Sequence, residues 1–239
     1  MKALKVASTL LLLGLAASGG AQPQKPTPYP AMAPIEKYRI ADAKEEIALA
    51  RTAAPPSISG SAEILVLGKQ GYETAVKGTN GFVCFVERSW AAKFQDTDFW
   101  NPKLRAPNCF NAPAARSVLP QYLQRTKWVL NGIDQPQLIE KTKAALSGHP
   151  LPAPEAGSIS YMLSKQGYLG DQAGGPWQPH VMFFLAHGQA ASWGASLQAS
   201  PILGADNSDI EFTVLVIPVA HWSDGSPAAA PSTEHHHDS

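Results

Sequence analysis

Short apolar runs, each closed off by glycine, proline or asparagine, dominate the middle of the chain. Residues 62–67 read Ala-Glu-Ile-Leu-Val-Leu, an aliphatic stretch whose composition predicts a strand. Gly68 and Gly71 bracket the turn that follows, and Tyr72-Glu73-Thr74-Ala75-Val76 alternates well enough for a second strand. Asn80-Gly81, a strong short hairpin signal, leads into a third strand over 82–87. There Phe82, Cys84 and Val86 fall on one face, and Val83 and Phe85 on the other. A strand that is apolar on both faces belongs in mid-sheet, covered on both sides.

The same pattern returns further along. Lys69-Gln70-Gly71-Tyr72 recurs as Lys165-Gln166-Gly167-Tyr168. An apolar run precedes each copy, at 62–67 and 158–163, and another follows, at 82–86 and 181–185, each trailed by a tryptophan, Trp90 and Trp193. This predicts two related strand–turn–strand units, 62–87 and 158–185. In the second unit the glycine-rich stretch 170–176 replaces the middle strand and forms a loop. A last strand is expected over 210–219, with Phe212, Val214 and Val216 on one face.

Helical periodicity lies outside and between these units. Residues 40–53 combine good helix formers with Ile40, Ile47 and Leu49, with Asp42 as a possible N-cap and Pro55-Pro56 as the stop. Residues 113–130 carry Leu119, Leu123 and Leu130, interrupted at Pro120 and capped by Gly132. A further helix, 134–146, starts at Asp134 and ends before Gly148. Residues 88–111 have no clean period and read as a long loop pinned by Trp90, Phe94, Phe99, Trp100 and Phe110. The expected fold is therefore α+β: an antiparallel sheet built from the two related units, with a helix pair inserted between them and packed on one face.

The ends change the picture from fold to compartment. Two early lysines, an apolar run centred on Leu10 to Leu13, and small residues up to Ala21 form a secretory signal over 1–21. Five prolines make 22–34 a semi-extended linker, and 223–239 reads as a disordered tail behind a single domain over 35–222. Lys and Arg number 19, as do Asp and Glu; loss of Lys2 and Lys5 with the signal leaves a net charge of about −2. That balance offers nothing to nucleic acid, and no later stretch is long and apolar enough to span a membrane. The expected location is periplasmic or extracellular. In such a compartment two cysteines, Cys84 and Cys109, predict a disulfide, worth about 3.5 kcal/mol for a loop of about 25 residues.

Candidate chemistry is sparse. His180 stands at a strand entrance beside the glycine-rich loop and Trp177, where an imidazole can act as a base. Glu87 and Asp171 are the acids nearest to it by repeat position or loop. The recurrent tetrapeptide could bring Lys69, Tyr72, Lys165 and Tyr168 around one ligand, with Trp177 as a further ligand-binding candidate. No nucleophile elbow, phosphate loop, C-x-x-C or histidine pair at metal-ligand spacing is present, so neither cofactor nor structural metal is expected. Two functions fit: an exported, non-catalytic binding or envelope-associated protein, or a hydrolase using His180 with lysine or tyrosine partners. The partner is a small molecule or an envelope component of unassigned identity.

Overall fold

The computed structural model describes residues 28–148, 151–171, 178–207, 209–210 and 212–228. The signal expected over 1–21, the first part of the linker (22–27), most of the glycine-rich loop with Trp177 (172–177) and the end of the tail lie outside the described residues.

Among the described residues, eight strands form one mixed sheet. They are β1 (Glu63–Leu67), β2 (Tyr72–Val76), β3 (Val83–Glu87), β4 (Ala106–Phe110), β5 (Ile159–Met162), β6 (His180–Ala186), β7 (Leu203–Asn207) and β8 (Phe212–Pro218), in the order β2-β1-β3-β4-β5-β6-β8-β7. The helices are α1 (Ala43–Arg51), α2 (Pro56–Ser59), α3 (Ala112–Ser117), α4 (Leu119–Leu130) and α5 (Gln135–Ser147). In chain order α3, α4 and α5 fall between β4 and β5. None of the described helices is long and apolar enough to cross a membrane.

The sheet is not wholly antiparallel, which corrects the expectation. β1 pairs with β2 antiparallel, and β3 returns to the other side of β1 and pairs with it parallel. Asn80-Gly81 therefore turns a crossover rather than a hairpin. Gly81 takes φ +77°, and Asn80 holds the crossover down by donating to the Ile58 carbonyl at 2.8 Å and accepting from Phe82 N–H at 3.1 Å. The two tetrapeptides also differ. Gly71 has φ +145° and leads into β2, whereas Gly167 is not among the positive-φ glycines and Tyr168 makes only an isolated bridge to Arg105. Their pairings differ as well: β1 and β3 lie parallel, while β5 and β6 lie antiparallel. The repeated letters mark no shared backbone geometry.

β3 sits in mid-sheet, between β1 and β4. Its alternation divides the core in two. Cys84 and Val86 join Ile64 and Cys109 beneath Ala50 of α1 and Ala53 and Ala54 just after it. Phe85 faces the other way and joins Leu65, Phe110 and Phe184 beneath α3 and α4. Cys84 and Cys109 stand directly opposite each other on β3 and β4 and form a buried disulfide. Three side-chain caps start helices: Asp42 accepts from Lys44 N–H, Asn111 from Ala114 N–H and Asp134 from Gln137 N–H.

One ion pair crosses this core. Arg88 Nη2 donates to Glu46 Oε1 at 2.7 Å, with side-chain exposures of 0% and 1%. Glu46 Oε1 also accepts from the Leu67 N–H at 3.1 Å. Arg88 Nε donates to the Tyr38 carbonyl at 2.6 Å, and Nη1 donates to the Val86 carbonyl. Removing one partner of such a pair strands the other charge away from water. We expect Glu46→Ala to lose about 3–5 kcal/mol in urea unfolding, and Glu46→Met with Arg88→Met together to lose less than Glu46→Ala alone. A double variant weaker than the single one would show that the pair stabilises the fold beyond the cost of leaving one charge unpaired.

Candidate functional site

The helix α4 presents an unusual inner face. Its buried residues are Leu119, Gln121, Arg125, Thr126 and Val129, so polar side chains occupy positions one turn apart on the side turned to the sheet. Beneath them the sheet offers Phe85 and Glu87 from β3, Ala106 from β4 and Met162 from β5. The two layers do not close. A cavity of about 310 Å³ remains between them, walled at one side by Trp90 and the residues after it. The lining is mainly apolar, with a few polar groups directed into it, as in small-molecule sites generally.

Glu87 is the buried acid of this cavity and is 8% exposed. Burial pushes its carboxyl up to about 7, although the amide of Asn108, donating to Oε1 at 2.6 Å, and the charge of Arg125 both pull the other way. Arg125 is 7% exposed. Its Nη1 donates to the carbonyls of Trp90 at 3.2 Å and Ala92 at 3.1 Å, and its guanidinium lies 4.5 Å from the Phe94 ring centroid. Burial lowers its pKa. The Tyr122 phenol is pushed up by burial and by the nearby charge of Glu87, so it stays a neutral donor.

Two groups here lack partners. Among the described residues, neither Gln121 Nε2 nor Asn108 Oδ1 has a hydrogen bond, although both are buried. Gln121, 7% exposed, lines the cavity. A buried donor left unmet costs roughly 1–3 kcal/mol, which a bound acceptor at Nε2 would recover.

The sequence-predicted site residues are mostly elsewhere. Tyr72 does line the cavity, with its hydroxyl donating to the Val86 carbonyl at 2.6 Å. Lys69 is exposed, Lys165 pairs with Asp224 at 2.9 Å, and Tyr168 donates to Asp171, which also accepts from Tyr29. The four tetrapeptide residues are therefore not gathered around one cavity. His180 pairs across β6 with Met162 and Pro218, and its Nδ1 lies 2.9 Å from the Gln178 carbonyl. Burial lowers its pKa, so the ring is neutral near pH 7. It does not line the cavity. Gln121, Tyr122 and Arg125 escaped the sequence reading because a polar residue on a helix signals solvent by default. The available signal was their spacing, since 121, 122 and 125 share one side with Val129.

Comparison of the chain with protein-family models, curated proteins and solved structures finds no match.

The acid in the cavity makes stability depend on pH. Its folded pKa, about 7, is above the ordinary glutamate value of 4.5. Folding therefore takes up a proton between those values, and the neutral form's contribution is complete below about 4.5 and lost as pH rises through about 7. At 1.36 kcal/mol per unit the change amounts to roughly 3 kcal/mol. Glu87→Gln removes this titration. Urea melts of both proteins from pH 4.5 to 8 should show the variant gaining on the wild type by that order; a gap independent of pH would mean that Glu87 titrates normally.

Proposed function

We propose that this protein is an exported, non-catalytic binding protein whose small-molecule ligand occupies the cavity between α4 and the central strands. The observation that carries this reading is Gln121 Nε2, a buried donor without a partner among the described residues, in the wall of a mainly apolar cavity. The cavity's size suits a ligand of about ten non-hydrogen atoms, taking roughly the 30 Å³ that a water occupies in the liquid for each. Export rests on the character of the first residues and is supported by the buried disulfide.

The alternative, a hydrolase built on His180 with lysine or tyrosine partners, draws less support. The ring engages a backbone carbonyl through Nδ1, it is outside the cavity lining, and Lys165 and Tyr168 are held by carboxylates elsewhere.

Octanamide, a neutral molecule of the right size, provides a probe. Trp90 and Trp128 line the cavity, so their fluorescence should change saturably as the probe binds. Ala106 is 2% exposed in the cavity wall, and Ala106→Phe should fill the space and abolish the response while the protein still melts cooperatively. His180→Ala should bind as the wild type does and lose roughly 1 kcal/mol of stability with its hydrogen bond. Undiminished binding to a folded Ala106→Phe would remove the cavity as the site. A hydrolytic activity abolished in His180→Ala at unchanged melting temperature would favour the enzyme instead.

A further inference from the structure

We propose that the ligand of this cavity is an anion, specifically a monocarboxylic acid with an apolar body, whose carboxylate is held by Arg125 and Gln121. The inference rests on the binding reading above and adds the chemical class of the ligand.

Charge accounting inside the cavity carries it. Buried charges in proteins are normally paired. Arg88, the other buried arginine at this end of β3, has Glu46. Arg125 has no carboxylate within salt-bridge distance among the described residues. Its hydrogen bonds go to two neutral carbonyls, both through Nη1, and leave the rest of the guanidinium fork uncommitted among those residues. A fork of that kind suits a planar carboxylate better than any neutral head group. Gln121 Nε2 supplies a second donor from one turn earlier on the same helix. Glu87 completes the set. While it keeps its proton, it sets no negative charge against a ligand beside Arg125 and offers a carboxyl able to donate.

The remaining charged groups of the lining nearly balance one another. Tyr122 of α4 and Tyr72 of β2 are neutral phenols. Lys93 and Asp96 line the same side wall and bring opposite charges. Asp209, a third acid of the lining, accepts a hydrogen bond from the Phe94 N–H at 3.1 Å, and its charge acts on Arg125 without a salt bridge to it. The strands β4, β5, β6 and β8 contribute Ala106, Met162, Met182 and Val214, and no histidine lines the cavity among the described residues. Glu87 is therefore the group that titrates near neutrality there, and its ionisation would oppose a bound carboxylate.

Octanoate and octanamide have the same number of non-hydrogen atoms and differ in the charge of the head group, and simple carboxyls are ionised throughout pH 6 to 8.5. Calorimetric titration of the full-length protein at pH 6 should find octanoate binding at least tenfold more tightly than octanamide. From pH 7 to pH 8 octanoate affinity should fall about fivefold, with proton uptake visible as a buffer-dependent heat, while octanamide affinity stays level. Glu87→Gln should keep octanoate binding and flatten that pH profile. Arg125→Gln should bring the two probes to equal affinity; if it fails to fold, Gln121→Met should weaken octanoate several-fold and serves in its place. If octanamide matches or exceeds octanoate, and Ala106→Phe abolishes both, the cavity still binds but the anion assignment falls. If neither probe binds the wild type at millimolar concentration, both readings fall together.

Discussion

The contact on which most of this architecture depends is the buried pair between Arg88 and Glu46. Each belongs to a different layer: Glu46 projects from α1, and Arg88 follows the last residue of β3. The guanidinium also reaches the carbonyls of Tyr38 and Val86, while the carboxylate accepts from the backbone at the end of β1. One charged cluster thus fixes where the N-terminal segment, the first helix and two central strands meet. A hydrophobic contact would have tolerated sliding among these pieces, whereas two desolvated charges hold one arrangement. Tyr72 shares the Val86 carbonyl, which extends the cluster to the sheet edge and brings its ring against Phe85 at 5.1 Å.

The cavity follows from what lies immediately beside that cluster. Alternation along β3 sends Phe85 and Glu87 to the face opposite Cys84 and Val86. There the apolar packing of Phe85, Phe110 and Phe184 gives way to Glu87, Asn108 and the polar side of α4. Side chains that must keep hydrogen-bonding geometry cannot collapse onto one another as aliphatic ones do, so space persists between the layers. The Trp90 indole, which donates to Thr126 at 3.0 Å, and the Arg125 bonds to the Trp90 and Ala92 carbonyls hold the side wall to α4. The opening is built into the fold by the same polar residues that give it chemical character.

Local signals in the sequence carried further than long-range ones. The apolar run 82–87 announced a central strand with two covered faces, and Asp42 and Asp134 announced helix starts, because each rests on a few neighbouring residues. β4 was invisible: Ala106-Pro107-Asn108-Cys109-Phe110 has a proline and an asparagine where a strand pattern wants β-branched residues, and it becomes a strand through its pairing with β3. The parallel approach of β3 to β1 was equally hidden, since Asn80-Gly81 has the same local signal in a crossover as in a hairpin. The recurrent tetrapeptide misled for the converse reason. It is a local likeness placed in two unlike settings. Of the residues now assigned to the cavity, Glu87 and Tyr72 stood out beforehand, while Gln121, Tyr122 and Arg125 acquire meaning only opposite the sheet.

The cross-strand disulfide has a topological consequence for the cavity. Cys84 and Cys109, separated by 25 in sequence, close a covalent ring that contains Glu87, Arg88, Trp90 and the aromatic wall up to Ala106. A protease that nicks any peptide bond inside this ring opens the loop without dividing the molecule: the two pieces remain joined through sulfur, with β3 and β4 still in register on either side of the bond. The wall can thus survive one backbone cut in surroundings where exposed loops are commonly cleaved. In a reducing medium that tolerance disappears, because the same cut would then leave two chains held together by non-covalent contacts alone.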